Sequence, residues 1–483
     1  MFKALTEPYG WQEDAIKKAV ESREYGIFAE QGTGKTKVMI DTLVQLYNAA
    51  GGSVKPTLIL CPPIVCWNWY HEIQKHSTIP GEAVVVMQGS SKKKIEILEA
   101  KTSYMDYNNY ILITNYDSLY SKPLRNRLDK FGPEVLILDE SHYVKTPSSK
   151  RSKEVLSLAR TSFRRYLLTG TPMLNEIDDF YMQFKIMDFG FTLGTNVNVF
   201  RQKWMMNLNA AASFGMNAYP KWVANPKKKE EFSKLIESKS IRVLKEECLD
   251  LPPLIRQKVY LSMGVDQDKT YRMMRRDLIV KIKEQEDAGL PLNAIAANAM
   301  VLSLKLLQIA SGFVYGDDGR IHEWGDCPKL EYLKTHLPTL VAKHKVIIWC
   351  CFTPNITKIG QLCTIRGVKA VALHGRMTSA QKRDAIAEFQ EVDDCRVIIA
   401  NRAAGGIGVN LTESAYSIVF SRNYSLNDEL QSEARNHRKG SEKHESIIKL
   451  DLMVENTIEA KVVEALTRKE KLATSILDIV RED

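Results

Sequence analysis

At 483 residues, with 44% apolar and 26% charged side chains, the chain is long enough for roughly two to four domains with sizeable cores, which excludes an extended disordered protein. Its longest apolar run, Val346 to Phe352, is far short of the ~18 residues of a membrane span, "MFKALTEPYG" lacks the apolar core of a secretory signal, and the eight cysteines include no C-x-x-C pair; a cytoplasmic chain with no membrane partner, disulfide framework or zinc ribbon is expected. A net charge of +9 permits a polyanionic partner, and the basic clusters at Lys92 to Lys94, at Lys150, Arg151 and Lys153, at Lys227 to Lys229 and at Arg272, Arg275 and Arg276 are candidates for touching phosphate, against the simpler reading of solvated surface.

Between residues 25 and 175, short β-branched runs alternate with helix-length amphipathic stretches: Gly26 to Ala29, Thr57 to Cys61, Ala83 to Met87, Tyr110 to Thr114, Val135 to Leu138 and Arg165 to Leu168. Runs of this length predict a parallel sheet covered by helices on both faces. The middle, Asn175 to Cys327, has few strand-like runs and reads as helical insertions, with Ala294 to Ile309 apolar enough for a buried helix. The alternation returns after residue 345 with "KVIIWCCF", "VKAVALHG", "CRVIIA", "YSIVFS" and "ESIIKLD". The expected fold class is therefore α/β with two parallel-sheet lobes. Lobe 1 takes residues 1–190, helical insertions and a linker take 191–325, and lobe 2 with a closing helix takes 326–483.

The segment "YGIFAEQGTGKTKVMIDTLVQLY" supplies the strand, glycine-rich turn and helix that a phosphate loop needs. Ala29 stands where G-x-x-x-x-G-K-[ST] has its first glycine, which is tolerable if that residue needs no positive φ; Gly32, Thr33 and Gly34 form the cradle. Backbone amides at the helix N-terminus point at phosphate, Lys35 reaches the β and γ oxygens, and Thr36 holds magnesium. About a hundred residues on, "EVLILDESHYV" sets Asp139 and Glu140 at a strand's C-terminal end, where a parallel sheet places its site. The first acid suits Mg2+ held through water, and the second can accept a proton from an attacking water. No guanine-reading N-K-x-D occurs, and Gln12 has an amide to offer an adenine edge, so ATP with Mg2+ is expected. In the second lobe "QSEARNHRKG" spaces Arg435 and Arg438 three apart, on one helical face; cations aimed at a γ-phosphate on lobe closure would stabilise the charge of phosphoryl transfer.

In this order the segments resemble superfamily two of the helicase-related ATPases and, within it, the Swi/Snf-like family of DNA translocases. "YGWQEDAI" resembles the Q element, "GTGKT" motif I, "LILCPPIVCWNWYHEI" motif Ia, "ILITNYDSL" motif Ib, "DESH" motif II and "LTGTP" motif III. In the second lobe "VIIWCCFT" is similar to motif IV, "LHGRMTSAQKRDAIAEF" to the element after it, "AAGGIGVNLT" to motif V and "QSEARNHRKG" to motif VI. "IRVLKEECLDLPPL", at 241–254, and "VENTIEAKV" favour the Swi/Snf-like branch over the DEAD-box RNA helicases.

The resemblance implies two RecA-like lobes and a DNA-dependent ATPase, with Gly406 of motif V among the nucleotide-binding residues. It also implies that Pro62 and Trp67 in Ia, Thr114 and Tyr116 in Ib, Thr353 in IV, and Asn410 and Thr412 in V lie near the nucleic-acid track or the lobe interface. Trp67 and Trp69 read equally well as core aromatics. Departures bear on the substrate: "AEQGTGKT" replaces the acidic-Met-Gly-Leu loop of chromatin remodellers, motif VI ends in Lys439-Gly440-Ser441, and no chromatin-reading module is visible. The expectation is a compact bacterial or bacteriophage member, a monomer acting without sequence preference on duplex, forked or branched DNA, for junction remodelling, branch migration or displacement of bound protein. A strand-separating helicase is one alternative. Another is the ATPase motor subunit of a defence or restriction complex, with a fixed protein partner.

Overall fold

The computed structural model describes residues 1–101, 109–209, 220, 222–287, 292–316, 318–402 and 410–477. It divides into two compact units, the first built mainly from Met1–Met206 and Trp222–Leu249, the second from Asp250–Glu470.

In the first unit the fully buried runs form strands β1 (Glu24–Ala29), β2 (Thr57–Cys61), β3 (Val84–Val86), β4 (Ile111–Asn115), β5 (Val135–Asp139) and β6 (Arg164–Leu168). A short ribbon, β7 (Met205–Asn207) with β8 (Trp222–Ala224), stands apart, and β9 (Ser240–Val243) completes a seven-stranded sheet in the order β3-β4-β2-β5-β6-β1-β9. Every pairing in that sheet is parallel, so all its strands end on one edge. Leu58, Leu60, Leu112, Leu136, Leu138 and Leu167 fill one large core with Phe28, Phe180 and Phe184. β9 lies close against β1 because Gly26 leaves room: a Cβ there would come within 2.8 Å of the Phe28 ring and 3.0 Å of Ser240 Cβ.

In the second unit β10 (Leu254–Leu261) is followed by the antiparallel hairpin β11 (Phe313–Tyr315) and β12 (Ile321–Glu323), then β13 (Lys345–Cys350), β14 (Ala370–Leu373), β15 (Val397–Asn401), β16 (Ser414–Val419) and β17 (Ile447–Val454). The six-stranded sheet runs β10-β17-β16-β13-β15-β14 and is again wholly parallel. Its core is Val346, Ile348, Ile356, Ile359, Val397, Ile399, Ile418, Leu450 and Leu452.

The middle segment departs from the helical reading. β9 and β10 come from it, each an edge strand whose charged residues (Arg242; Arg256 and Lys258) break up the apolar run. The helix Leu292–Ala310 does form, but it is not buried throughout. Leu306 and Ile309 are buried against Tyr271 and Trp324, and Leu307 against Leu426 and Val462, while Met300, Val301 and Leu304 are exposed. Among the described residues no helix is long and apolar enough to cross a membrane.

Candidate nucleotide site

The phosphate loop leaves β1 at Ala29 and enters the helix Lys35–Ala49 at Gly34. Gly32 and Gly34 have φ of 87° and 97°, whereas Ala29 is not among the residues with positive φ, which explains why alanine is tolerated at the first position. Thr33 is buried, and its hydroxyl donates to the Glu30 carbonyl at 2.7 Å, closing the turn from inside. The Lys35 ammonium donates to the carbonyls of Ala29 (2.7 Å) and Glu30 (3.2 Å). Burial lowers its pKa, and the nearby carboxylates of Glu140, Asp139 and Glu30 oppose that shift.

Gln12 is placed against this loop. Its Oε1 accepts from the Tyr9 amide at 2.9 Å, and its Nε2 donates to the Thr33 carbonyl at 3.2 Å. With a bond at each end of the carboxamide and only 2% of the residue exposed, Gln12 props the loop. A Cβ on Gly34 would lie 2.4 Å from Gln12 Nε2, so that glycine is required by contact as well as by φ.

Asp139 ends β5. Its Oδ2 accepts from Trp69 Nε1 at 2.8 Å and its Oδ1 from the Glu140 amide at 3.0 Å. Burial, with the Glu140 charge beside it, pushes the Asp139 carboxyl up to about 6, against the pull of the Trp69 donor and Lys35. Glu140 sits at φ 54°, ψ 53°, a left-handed conformation uncommon for a residue with a Cβ. In that turn its Oε2 accepts from the Thr169 hydroxyl at 3.2 Å and lies 3.3 Å from His142 Nδ1. Thr169 in turn accepts from the Thr171 amide at 3.1 Å, so "LTGTP" holds the acid of "DESH". Since β5, β6 and β1 are neighbours in that order, motifs II, III and I converge on one edge of the sheet. The Thr36 hydroxyl and the Asp139 carboxylate are hard oxygen donors of the kind Mg2+ takes, and two suffice where phosphate and water supply the rest; the residues present fit the ion.

The residues of Ia and Ib fall into two sets. Thr114 is fully buried, its hydroxyl bonded to the Met87 carbonyl (3.2 Å) and to Ser118 Oγ (2.7 Å). Tyr116 is 2% exposed and donates to the Asp139 carbonyl at 2.8 Å; Pro62 is buried as well. These side chains frame motif II from within and are closed to a DNA phosphate. Trp67, at 42%, is exposed with Pro63 and Asn68 around it, whereas Trp69 is in the core on Asp139. Of the Lys92 to Lys94 cluster, Lys94 is also internal, donating to Ser118 Oγ at 2.6 Å and to Asn115.

In the second unit Thr353 opens the helix Thr353–Ile365 and is exposed. Asn410 is exposed, whereas Thr412 is buried, its carbonyl accepting from His444 Nε2 at 2.8 Å. Gly406 lies outside the described residues. The shared helical face expected for Arg435 and Arg438 is corrected: the helix Leu426–Glu433 has ended before them. Long-range bonds stop it, for the Arg435 carbonyl accepts from the Leu411 amide (2.9 Å), Asn436 donates to the Ser414 carbonyl (3.2 Å), and His437 Nε2 bonds the Pro252 carbonyl (3.0 Å). Arg435 is buried with its Nε on the Gln431 carbonyl at 2.9 Å.

Sequence reading missed the charge network behind that helix. Glu429 pairs with Arg402 (2.8 Å) and Lys449 (2.6 Å), and Glu433 pairs with Lys449 (3.0 Å) and Arg256 (2.6 Å). Burial pushes both acids up, but the cations outweigh it, holding Glu429 well below the carboxylate range and Glu433 at about 2. The acids' spacing of four on one helix was the available signal; their partners are distant in sequence, Arg256 on β10, Lys449 on β17 and Arg402 just past the end of β15.

The profile of the SNF2-related domain matches residues 15–308, and that of the helicase conserved C-terminal domain matches residues 328–440. An uncharacterized ATP-dependent helicase of Mycoplasma genitalium is 26% identical over 97% of this chain and 42% of its own length. A chromodomain-helicase-DNA-binding protein 1-like of Danio rerio is 25% identical over 93% of the chain and 41% of its own. The solved SWI2/SNF2 ATPase core of Sulfolobus solfataricus in complex with dsDNA is 22% identical, covering 99% of this chain and 94% of that one, with a TM-score of 0.44. The chain spans less than half the length of the first curated relatives it matches.

Proposed function

Because the chain belongs to the SNF2-related family, we propose that it is an ATP-hydrolysing motor that tracks along duplex DNA and remodels forks, branched junctions or protein–DNA complexes. The observation that carries the reading is the convergence of Lys35, Asp139, Glu140 and Thr169 at the ends of β1, β5 and β6.

On this reading Lys35 exchanges the carbonyls of Ala29 and Glu30 for phosphate oxygens, with the loop amides as the remaining donors. Thr36 and Asp139 would hold Mg2+, which when bound neutralises phosphate charge. Glu140, aimed by its left-handed turn and steadied by Thr169, takes the proton of the attacking water. Arg435 and Arg438 are assigned the charge that develops on the γ-phosphate. DNA as the track is supported by the Danio rerio relative, whose name is that of a DNA-binding helicase. Contacts to phosphate, with Trp67, Thr353 and Asn410 as exposed candidates, would make binding independent of sequence.

The test is ATP turnover by the full chain against duplex, forked, four-way-junction and single-stranded DNA and RNA. Stimulation by duplex-containing DNA is expected, with K35A and E140Q abolishing turnover but not DNA binding. Turnover retained in either variant refutes the assignment. Stimulation by single strands or RNA alone points to a strand-separating helicase. A chain active only with a fixed stoichiometric partner points to the motor subunit of a defence complex.

A further inference from the structure

Arg242 belongs to the segment "IRVLKEECLDLPPL", and nothing in the hydrolysis described above uses it. It sits on β9, opposite Phe28 of β1, two residues before the phosphate loop's Glu30. Its side chain is 11% exposed, with Nη1 at 3.4 Å from the Gly170 carbonyl and Nη2 at 4.0 Å from Glu30 Oε1. The other Glu30 carboxylate oxygen accepts from the Lys245 amide at 3.0 Å, and the Glu30 amide donates to the Val243 carbonyl at 3.0 Å. Gly170 in turn is pressed on the loop, since a Cβ there would lie 3.2 Å from the Gln31 amide and 3.3 Å from the Ala29 carbonyl.

Glu30 is a carboxylate carried on a loop whose assigned task is to hold a polyanion, and its charge reaches Lys35. Left uncompensated, it would repel every phosphate that Lys35 attracts. The partner that offsets it comes from more than two hundred residues away in sequence, delivered by a strand whose pairing with β1 fixes its register.

We propose that Arg242 is a positioning residue of the nucleotide site, neutralising Glu30 and pinning Gly170 of "LTGTP" to the phosphate loop so that the loop accepts a nucleoside triphosphate. This rests on the nucleotide reading above. The effect is electrostatic and therefore grows with ligand charge. A unit charge left uncompensated about 10 Å from another is worth about a factor of ten in binding at a protein site's effective dielectric.

The test is calorimetric titration of the full chain with MgATP, ADP and adenosine. R242Q is expected to weaken ATP by about tenfold or more, ADP by less, and adenosine by under about twofold. Removing the repelling charge as well, in R242Q/E30Q, should restore ATP to within about threefold of wild type, and R242K, which keeps the charge, should stay within about threefold. A strand defect would weaken all three ligands alike and would not be repaired by E30Q. Wild-type ATP affinity in R242Q, a loss that E30Q leaves in place, or a loss in R242K as large as in R242Q overturns the proposal alone. A wild-type chain that binds none of the three overturns the nucleotide reading and this proposal with it.

Discussion

Trp69→Phe separates two roles open to this buried indole, filling space and aligning Asp139. The indole is wholly buried, and its Nε1 is 2.8 Å from Asp139 Oδ2, one of the two donors the carboxylate has. Phenylalanine keeps an aromatic ring in the core but removes the donor. A hydrogen bond to a charged group contributes about 1.5–3 kcal/mol, and the lost ring atoms add roughly 1–2 kcal/mol of packing. If the indole only fills space, the variant melts earlier but each folded molecule turns over ATP normally. If it aligns Asp139, kcat/KM for MgATP also falls, by about 10- to 100-fold, the equivalent of the hydrogen bond alone. The assay is steady-state turnover with saturating DNA and varied MgATP, alongside thermal unfolding of the same preparation. Trp67→Phe, at an exposed indole whose ring packs on Tyr70 and His71, is the control and should leave nucleotide kinetics within about twofold. A kcat/KM for Trp69→Phe within twofold of wild type would refute the alignment argument, whatever happened to the melting temperature.

Three further outcomes are expected. Gly34→Ala forces a Cβ onto Gln12 Nε2 at a φ of 97°, so ATP affinity should fall at least about tenfold; an unchanged dissociation constant counts against the propping role of Gln12. Arg435→Ala and Arg438→Ala should each lower kcat by about a hundredfold with ATP binding kept within about threefold, checked by single-turnover kinetics against nucleotide titration. Glu433 is held at about 2 where an unfolded carboxyl sits near about 4.3, so its contribution, at most about 3 kcal/mol, is complete above pH ~4.3 and is lost as pH falls toward 2; Lys449→Met should flatten the fall in urea-unfolding stability over that window.

The strands that sequence reveals are those whose apolar character is continuous. β1 to β6, β13 and β15 to β17 are buried along nearly their whole length, and the half-buried edge strand β14 is still an unbroken apolar run, so these segments stand out without knowledge of neighbours. β9 and β10 are edge strands carrying Arg242, Arg256 and Lys258, and pairing with a distant strand, not local pattern, makes them strands. The site divides in the same way. Gly32, Gly34, Lys35, Asp139 and Glu140 are legible because a phosphate loop and a strand-end acid pair are local chemistry. Trp69 on Asp139 and Tyr116 on the Asp139 carbonyl join residues 70 and 23 positions apart, and Arg402 meets Glu429 only through the fold. The motif VI arginines mislead for a related reason: a spacing of three implies a shared face only while the helix lasts, and contacts to Leu411, Ser414 and Pro252 end it at Glu433.

Glu140 combines a left-handed backbone with a side chain held by Thr169. A carboxylate beside Asp139 raises its neighbour's proton affinity, and a left-handed backbone at a residue with a Cβ costs about 1–2 kcal/mol, so for stability alone glycine would serve better there. Comparing Glu140→Gly with Glu140→Ala isolates the backbone cost, since both remove the carboxylate and only alanine keeps the strained Cβ. The glycine variant should be the more stable of the two by about 1 kcal/mol in chemical unfolding, less than the full strain because glycine gives back chain entropy. Both should be inactive. Equal stabilities would mean that the turn is unstrained in this setting; a more stable but inactive glycine variant would place Glu140 where local energetics are given up to aim one side chain at Thr169.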